Sequence, residues 1–420
     1  MTIDAPAATR GRGAFEVLAV FLKLGLTSFG GPVAHLGYFR REFVERRGWL
    51  DEAAYGDLVA LCQFLPGPAS SQVGFSVGLL RAGWLGGLAA WCGFTLPSVL
   101  LLLVFATFAP DLGGMVGQGL IHGLKLTAVA VVAQAVWDMG RRLCPDRRRA
   151  AIAMASIALL AAMQTAYAQL IVIACGAAAG FAFYGREGAL HLRPVSAAHD
   201  PGIAPERQIS RKAGALALAL FVLLLIGLPA AIRLTTGPSA STGQALQAFD
   251  AFFRSGALVF GGGHVVLPLL QQQHVIQSAV GTNDLLAGYG AAQAVPGPLF
   301  SFAAYLGWMM SSAWGRLAGA ALATIALFLP GLLLVVAALP HWQALRSRPS
   351  TAAILAGINA AVVGLLATAL YSPVWTSAVH RPLDFAIAAA GFLLLVRWKA
   401  PPLLVVALCA AAGIAAAIGG

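Results

Sequence analysis

Two cations and two glycine pairs recur in matched settings along this chain. Lys23 precedes Phe29-Gly30-Gly31-Pro32, and Arg254 precedes Phe260-Gly261-Gly262-Gly263, each within one apolar run. Glycine pairs and proline break a helix by freeing the backbone and by removing a donor. In lipid, broken backbone persists only where protein or a cavity satisfies it. A half-helix that begins at such a break turns free N–H groups and its positive dipole end toward whatever sits there. That is an anion site; close helix packing on the glycines is the alternative use of the same residues. A charge inside an apolar helix costs at least about 2.5–3.5 kcal/mol near its centre, so Lys23 and Arg254 are expected to face the interior and balance an anion. Snorkelling to the headgroups is the alternative. Lys125, in another apolar run, is a weaker candidate of the same kind.

A second pair of breaks is Pro66-Gly67-Pro68 and Pro296-Gly297-Pro298, following Gln63 and Gln293. Two prolines around a glycine cannot continue a helix. Ser70, Ser71 and Gln72 follow the first, with hydroxyl and amide groups able to donate to an oxyanion. A structural kink, with the serines satisfying freed carbonyls, is the plainer reading. His35 and His264 sit just past the glycine pairs at non-equivalent positions, suited to packing or to a proton or anion role. Acidic residues inside the runs are scarce, with Glu16, Asp57, Asp138 and Asp250 near their ends, so a proton or sodium relay is not expected.

Enzymatic chemistry finds little support. The chain lacks a Walker-A loop, HExxH, GxSxG and paired carboxylates in a plausible cleft. Gly261-Gly262-Gly263-His264 has no strand–turn–helix around it to make a nucleotide loop. The cysteines Cys62, Cys92, Cys144, Cys175 and Cys409 are isolated, so neither a metal site nor a disulfide framework is expected. No cofactor is expected.

The elements that must position these residues are membrane helices. Of 420 residues, 59% are hydrophobic and 10% charged, too few charges for a water-facing surface of ordinary size. A spanning helix needs roughly 20 mostly apolar residues. The apolar runs predict an all-α polytopic membrane protein with about 10–13 transmembrane segments, several broken by Gly and Pro. The net charge of +11 sits mostly in short loops, such as Arg141, Arg142 and Arg147 to Arg149. Topology explains those loops better than nucleic acid does. The polar stretch 185–212 reads as a linker between halves, and residues 1–14 as a polar tail with no removable signal.

The chain repeats itself. Phe21 through Gly31 matches Phe252 through Gly262, Gln63 through Pro68 matches Gln293 through Pro298, Leu96-Pro97 matches Leu329-Pro330, and Lys125 falls opposite Asn359, all at an offset of about 230 residues. The expected organisation is a first membrane repeat at 15–184, an extra segment and loop at 213–245, and a second repeat at 246–420. An odd number of crossings between repeat starts would invert the second, the architecture that puts a transporter's site at the midplane between repeats. The arginines Arg40, Arg41, Arg46 and Arg47 fall on the wrong side for the positive-inside rule if segment 15–38 crosses. They fall on the right side if it is re-entrant.

The ordered set from Lys23-Leu24-Gly25 through Phe29-Gly30-Gly31-Pro32, Leu65-Pro66-Gly67-Pro68, Gly83-Trp84-Leu85-Gly86-Gly87, Phe94-Thr95-Leu96-Pro97-Ser98, Phe260 to His264 and Gln293 to Pro298 resembles the long-chain, two-domain chromate ion transporter family of bacteria and archaea. The resemblance implies secondary export of chromate across the cytoplasmic membrane, giving resistance, with sulfate as the related oxyanion. It implies substrate-binding roles for the motif residues named above. Expected partners are the oxyanion and the lipid bilayer, with a homodimer as an assembly option. A sulfate or other inorganic anion permease is the competing reading, and a membrane enzyme acting on lipid phosphates through His35 or His264 a remote one. Gly263 stands where the first half has Pro32, and Phe300 and Ser301 stand where it has Ser70 and Ser71, so the halves are not equivalent.

Overall fold

The computed structural model describes residues 7–109, 113–163, 168–184, 209–235, 241–311, 315–342 and 349–419. Most of the linker expected at 185–212 lies outside them. Every regular element among the described residues is helical.

The first half opens with α1 (Ala7–Thr27), which stops at the Gly30-Gly31 break. Helix α2 (Gly31–Arg40), continued by a π turn to Arg46, then folds back along it. Phe21 of α1 meets both Phe39 and Phe43, at ring distances of 5.7 and 5.1 Å, and Glu16 pairs with Arg47 at 3.1 Å. The pairing is antiparallel, so segment 15–46 is a helical hairpin that leaves on the side where it enters. Helix α3 (Glu52–Phe64) and the first stretch of α4 (Ala69–Phe108) form a second hairpin with Pro66-Gly67-Pro68 at its tip. Its base is fixed at the same end, where Arg40 bonds Glu52 at 2.7 Å and Arg81 reaches Glu16 at 3.3 Å. The 13 residues of α3 reach only about 20 Å, short of the roughly 30 Å hydrocarbon core, so the tip stops inside.

Helix α4 bends at Ala82 and Gly83, where φ is 66° at the glycine, and then runs parallel to α1, with Gly25 against Gly93 and Phe94. It carries the chain to the far end. Helix α5 (Gly114–Leu143) returns. Helices α6 (Arg147–Ala162) and α7 (Ala168–Tyr184) make a hairpin whose ends meet again at the near end, where the Tyr184 hydroxyl donates to Asp146 at 2.6 Å. Helices α8 (Arg211–Val222) and α9 (Leu228–Thr235), joined through a π turn, cross once more.

The second half repeats this course from the opposite end. Helix α10 (Ser241–Ala257) enters to the Gly261-Gly262 break, and α11 (Val266–Gln271) and α12 (His274–Ala279) return. Helices α13 (Thr282–Ala294) and α14 (Phe302–Met310) form the second Pro-Gly-Pro hairpin. Helix α15 (Arg316–Ala338) runs to the near end, where the chain beyond it packs on the start of α8 through Pro340 and Gly214. Helix α16 (Pro349–Ala369) crosses back, and α17 (Pro382–Val396) and α18 (Pro402–Gly419) form a last hairpin on α5, with Gly413 against Gly119 near the start of α5. The two halves are therefore inverted repeats.

Six helices among the described residues are long and apolar enough to cross a membrane. Their outer faces carry bare apolar side chains, such as Leu216 at 71% exposure and Phe108 at 63%. The remaining apolar runs, and α18 among the six, are arms of hairpins. Because segment 15–46 is a hairpin, Arg40, Arg41, Arg46 and Arg47 lie at the near end together with Arg81, Arg141, Arg142 and Arg147 to Arg149. This is a multi-pass membrane protein with its basic loops at one end.

Candidate functional site

Four breaks meet at the middle of the molecule, and each depends on glycines in the left-handed region. Gly30 and Gly31 have φ of 103° and 79°, Gly261 and Gly262 of 78° and 148°, Gly67 and Gly297 of 122° and 100°. A Cβ is strained at such angles. At the two tips it would also collide, since on Gly67 it would lie 2.9 Å from Gly331 Cα, and on Gly297 3.1 Å from Ser98 Oγ.

Each tip is docked into the other half. The Gly67 N–H donates to the Val259 carbonyl at 2.7 Å, and the Gly297 N–H donates to the Ser28 carbonyl at 2.9 Å. Ser28 and Val259 are equivalent positions of the repeat, so the two bonds are related by the internal two-fold. Pro32 and Gly263, also equivalent, face one another, with the proline ring 3.7 Å from where a Gly263 Cβ would stand. The pseudo-axis passes between them. Carbonyls freed where α1 and α10 end are thus occupied by tip glycines, and Gln72 Nε2 takes the Pro66 and Gly331 carbonyls at 2.9 and 3.0 Å. Helices α2 and α4 begin at the breaks with no side chain capping either N-terminus, while Gln72 Oε1 is buried without a partner among the described residues.

A cavity of about 20 Å³ lies at this junction, lined by Gly30, Gly31, His264, Gln293, Gly297 and Pro402 among others. That is room for about one water molecule. His264 Nδ1 bonds the Tyr289 hydroxyl at 2.9 Å. Gln293 Nε2 has no partner among the described residues. On the first-half side, His35 Nδ1 lies 3.3 Å from Ser70 Oγ, while Ser71 Oγ and His35 Nε2 are buried without partners.

The structure brings together most of the residues singled out from the sequence: the glycine breaks with Phe29, Pro32, Phe260 and Gly263, both Pro-Gly-Pro tips, His35, His264, Ser70, Ser71, Gln72 and Gln293. It places four elsewhere. Lys23 lies on the exposed face of α1 beside Leu22 and Leu26. Arg254 is held by Asp250, one helical turn away, at 2.8 Å. Lys125 lies toward the far end and donates to Asn283 Oδ1 at 3.1 Å and to the Ser377 carbonyl at 3.0 Å. Gln63 is exposed, unlike its counterpart Gln293. Sequence reasoning missed Ser28, Thr95, Tyr289 and the His122–Asp384 pair at 2.8 Å. Ser28 and Thr95 both lie within repeated stretches, and their polarity against apolar counterparts was the available signal.

The sequence pattern of the chromate transporter family matches residues 15–181 and again residues 246–414. The chain belongs to the chromate transporter family. It is 28% identical over 413 residues to a chromate transport protein of Pseudomonas aeruginosa, covering 95% of this chain and 91% of that one. It is 26% identical to a probable chromate transport protein of Synechococcus elongatus, covering 95% and 94%. With a chromate transport protein of Cupriavidus metallidurans the identity is 25%, covering 93% and 90%. No solved structure matches the chain. Each stretch matched to the chromate transporter family contains one glycine-pair break and one Pro-Gly-Pro tip, so the central junction takes two breaks from each match.

Proposed function

We propose that this chain is a secondary transporter that exports chromate through the junction of the two halves. The supporting observation is the reciprocal docking of the two tips, which leaves uncapped helix N-termini at the midplane after the nearby carbonyls are taken. Helix N-termini and free N–H groups favour a tetrahedral oxyanion there. Its passage needs more room than about one water, so the halves must part, and rocking of one inverted repeat against the other exposes such a site alternately. The basic near end is the cytoplasmic side by the positive-inside rule, in the cytoplasmic membrane of the cell. A dianion leaving an inside-negative cell gains roughly 4.6 kcal/mol per 100 mV, twice the single-charge figure, so export needs no ATP.

Everted vesicles from cells making this chain test the reading. Chromate accumulation above that of empty-vector vesicles, increased by an inside-positive potential in the everted orientation, is expected. Vesicles that take up neither chromate nor sulfate above background would overturn it.

A further inference from the structure

None of the three cations singled out from the sequence is free to balance the proposed oxyanion. Lys23 faces outward, Arg254 is taken by Asp250, and Lys125 is engaged toward the far end. Four neutral groups of the first half are left without partners instead. Ser28 Oγ, His35 Nε2, Ser71 Oγ and Thr95 Oγ1 have no partner among the described residues, and each of these side chains is at most 2% exposed. Buried polar atoms are otherwise almost always bonded.

The segments that carry these four residues meet at several contacts. The Ser28 carbonyl holds the Gly297 N–H at 2.9 Å. The His35 ring lies edge-on to Phe94, next to Thr95, at 5.2 Å, and His35 Nδ1 lies 3.3 Å from Ser70 Oγ, next to Ser71. Gly297 lies against Phe94 and Ser98 of the same helix. In the tautomer whose Nδ1 accepts from the Ser70 hydroxyl, His35 carries its proton on Nε2. The equivalent positions in the second half are filled differently: Val259 and Val266 replace Ser28 and His35, Phe300 replaces Ser70, and Ser301, opposite Ser71, is already bonded to the Pro298 carbonyl at 2.7 Å.

We infer that Ser28, His35, Ser71 and Thr95 form a single neutral-donor site in the first half that binds the oxyanion, while the second half closes over it with apolar side chains. This rests on the transport reading above. An acceptor-only tetrahedral dianion suits such a set, because every oxygen meets an O–H or N–H dipole and no proton must be placed.

The test is Thr95→Val and Ser71→Ala, with Ser301→Ala as control, assayed by chromate uptake and by thermal unfolding in detergent with and without sulfate. Removing an unpartnered buried hydroxyl should leave the ligand-free protein as stable or more stable. The site variants should nonetheless show KM raised roughly tenfold and weaker sulfate stabilisation. Ser301→Ala should behave as wild type, and sulfate should bind once per chain. Unchanged KM in both site variants, or two sulfates per chain, would overturn the inference while leaving transport intact. Absence of transport in the wild type would instead remove the reading on which it rests.

Discussion

Gly67 carries two duties at once, a positive φ and contact with Gly331, whereas Gly31 has a positive φ but open space where a Cβ would go. Gly31→Ala should therefore cost only the backbone strain, about 1–3 kcal/mol. Gly67→Ala adds a collision that displaces the tip, and should lower thermal stability by more and abolish transport. Equal effects would mean that the tip is loosely held. Arg254 and Asp250 make a second residue-scale case. Their side chains are 27% and 17% exposed. Arg254→Ala should cost between the exposed-pair value of about 1 kcal/mol and the buried-pair value of about 3–5 kcal/mol, chiefly by stranding Asp250. Arg254→Ala with Asp250→Asn should recover much of the loss, and Lys23→Ala should leave uptake near wild type. Lys23 shows where sequence reading stops. Its place within an apolar run was visible, but which face of α1 meets lipid depends on packing against α4, which no local signal encodes.

At the scale of elements, the first-half hairpins share an ionic base. Glu42 takes Arg47 at 2.6 Å and Arg46 at 3.0 Å, and Arg47 also reaches Glu16. Burial pushes the Glu42 carboxyl up, but the bonds from Arg47 and Arg46 outweigh it, so its pKa falls below the ordinary carboxylate value of 4.5. A lowered carboxylate stabilises the fold above the unfolded-state value and loses that contribution as pH falls through the folded one. Glu42→Gln should thus unfold more easily than wild type at neutral pH and converge with it in acid, as read by thermal melts across pH 7 to 3. A gap that persists at pH 3 would assign the effect to packing. The breaks themselves were legible because Gly-Gly and Pro-Gly-Pro violate helix rules twice at one spacing. Their consequence for direction was not, since a broken helix can continue or reverse. The contacts from Phe21 to Phe43 and from Glu16 to Arg47 decide it, and they join residues far apart in sequence.

The whole molecule has its beginning and its end on opposite faces, since α1 starts at the near end and α18 finishes beside the start of α5. A fluorescent protein fused ahead of α1 should light up inside the cell, and alkaline phosphatase fused after Gly419 should be active outside. Both reporters on one side would break the inverted arrangement. The duplication was plain in the sequence, because matched motifs in matched order leave little room for chance, whereas its inversion turned on the hairpins. The paired bonds from Gly67 to Val259 and from Gly297 to Ser28 carry a last consequence. Neither half is a finished object, for each leaves its tip searching for an acceptor that only the other supplies. Two separate copies could satisfy one another only if ribosomes delivered them to the membrane in opposite orientations. Joining them end to end would leave both facing alike, and both tips idle. The single crossing made by α8 and α9 is the stretch of chain that sets the second half in the opposite orientation.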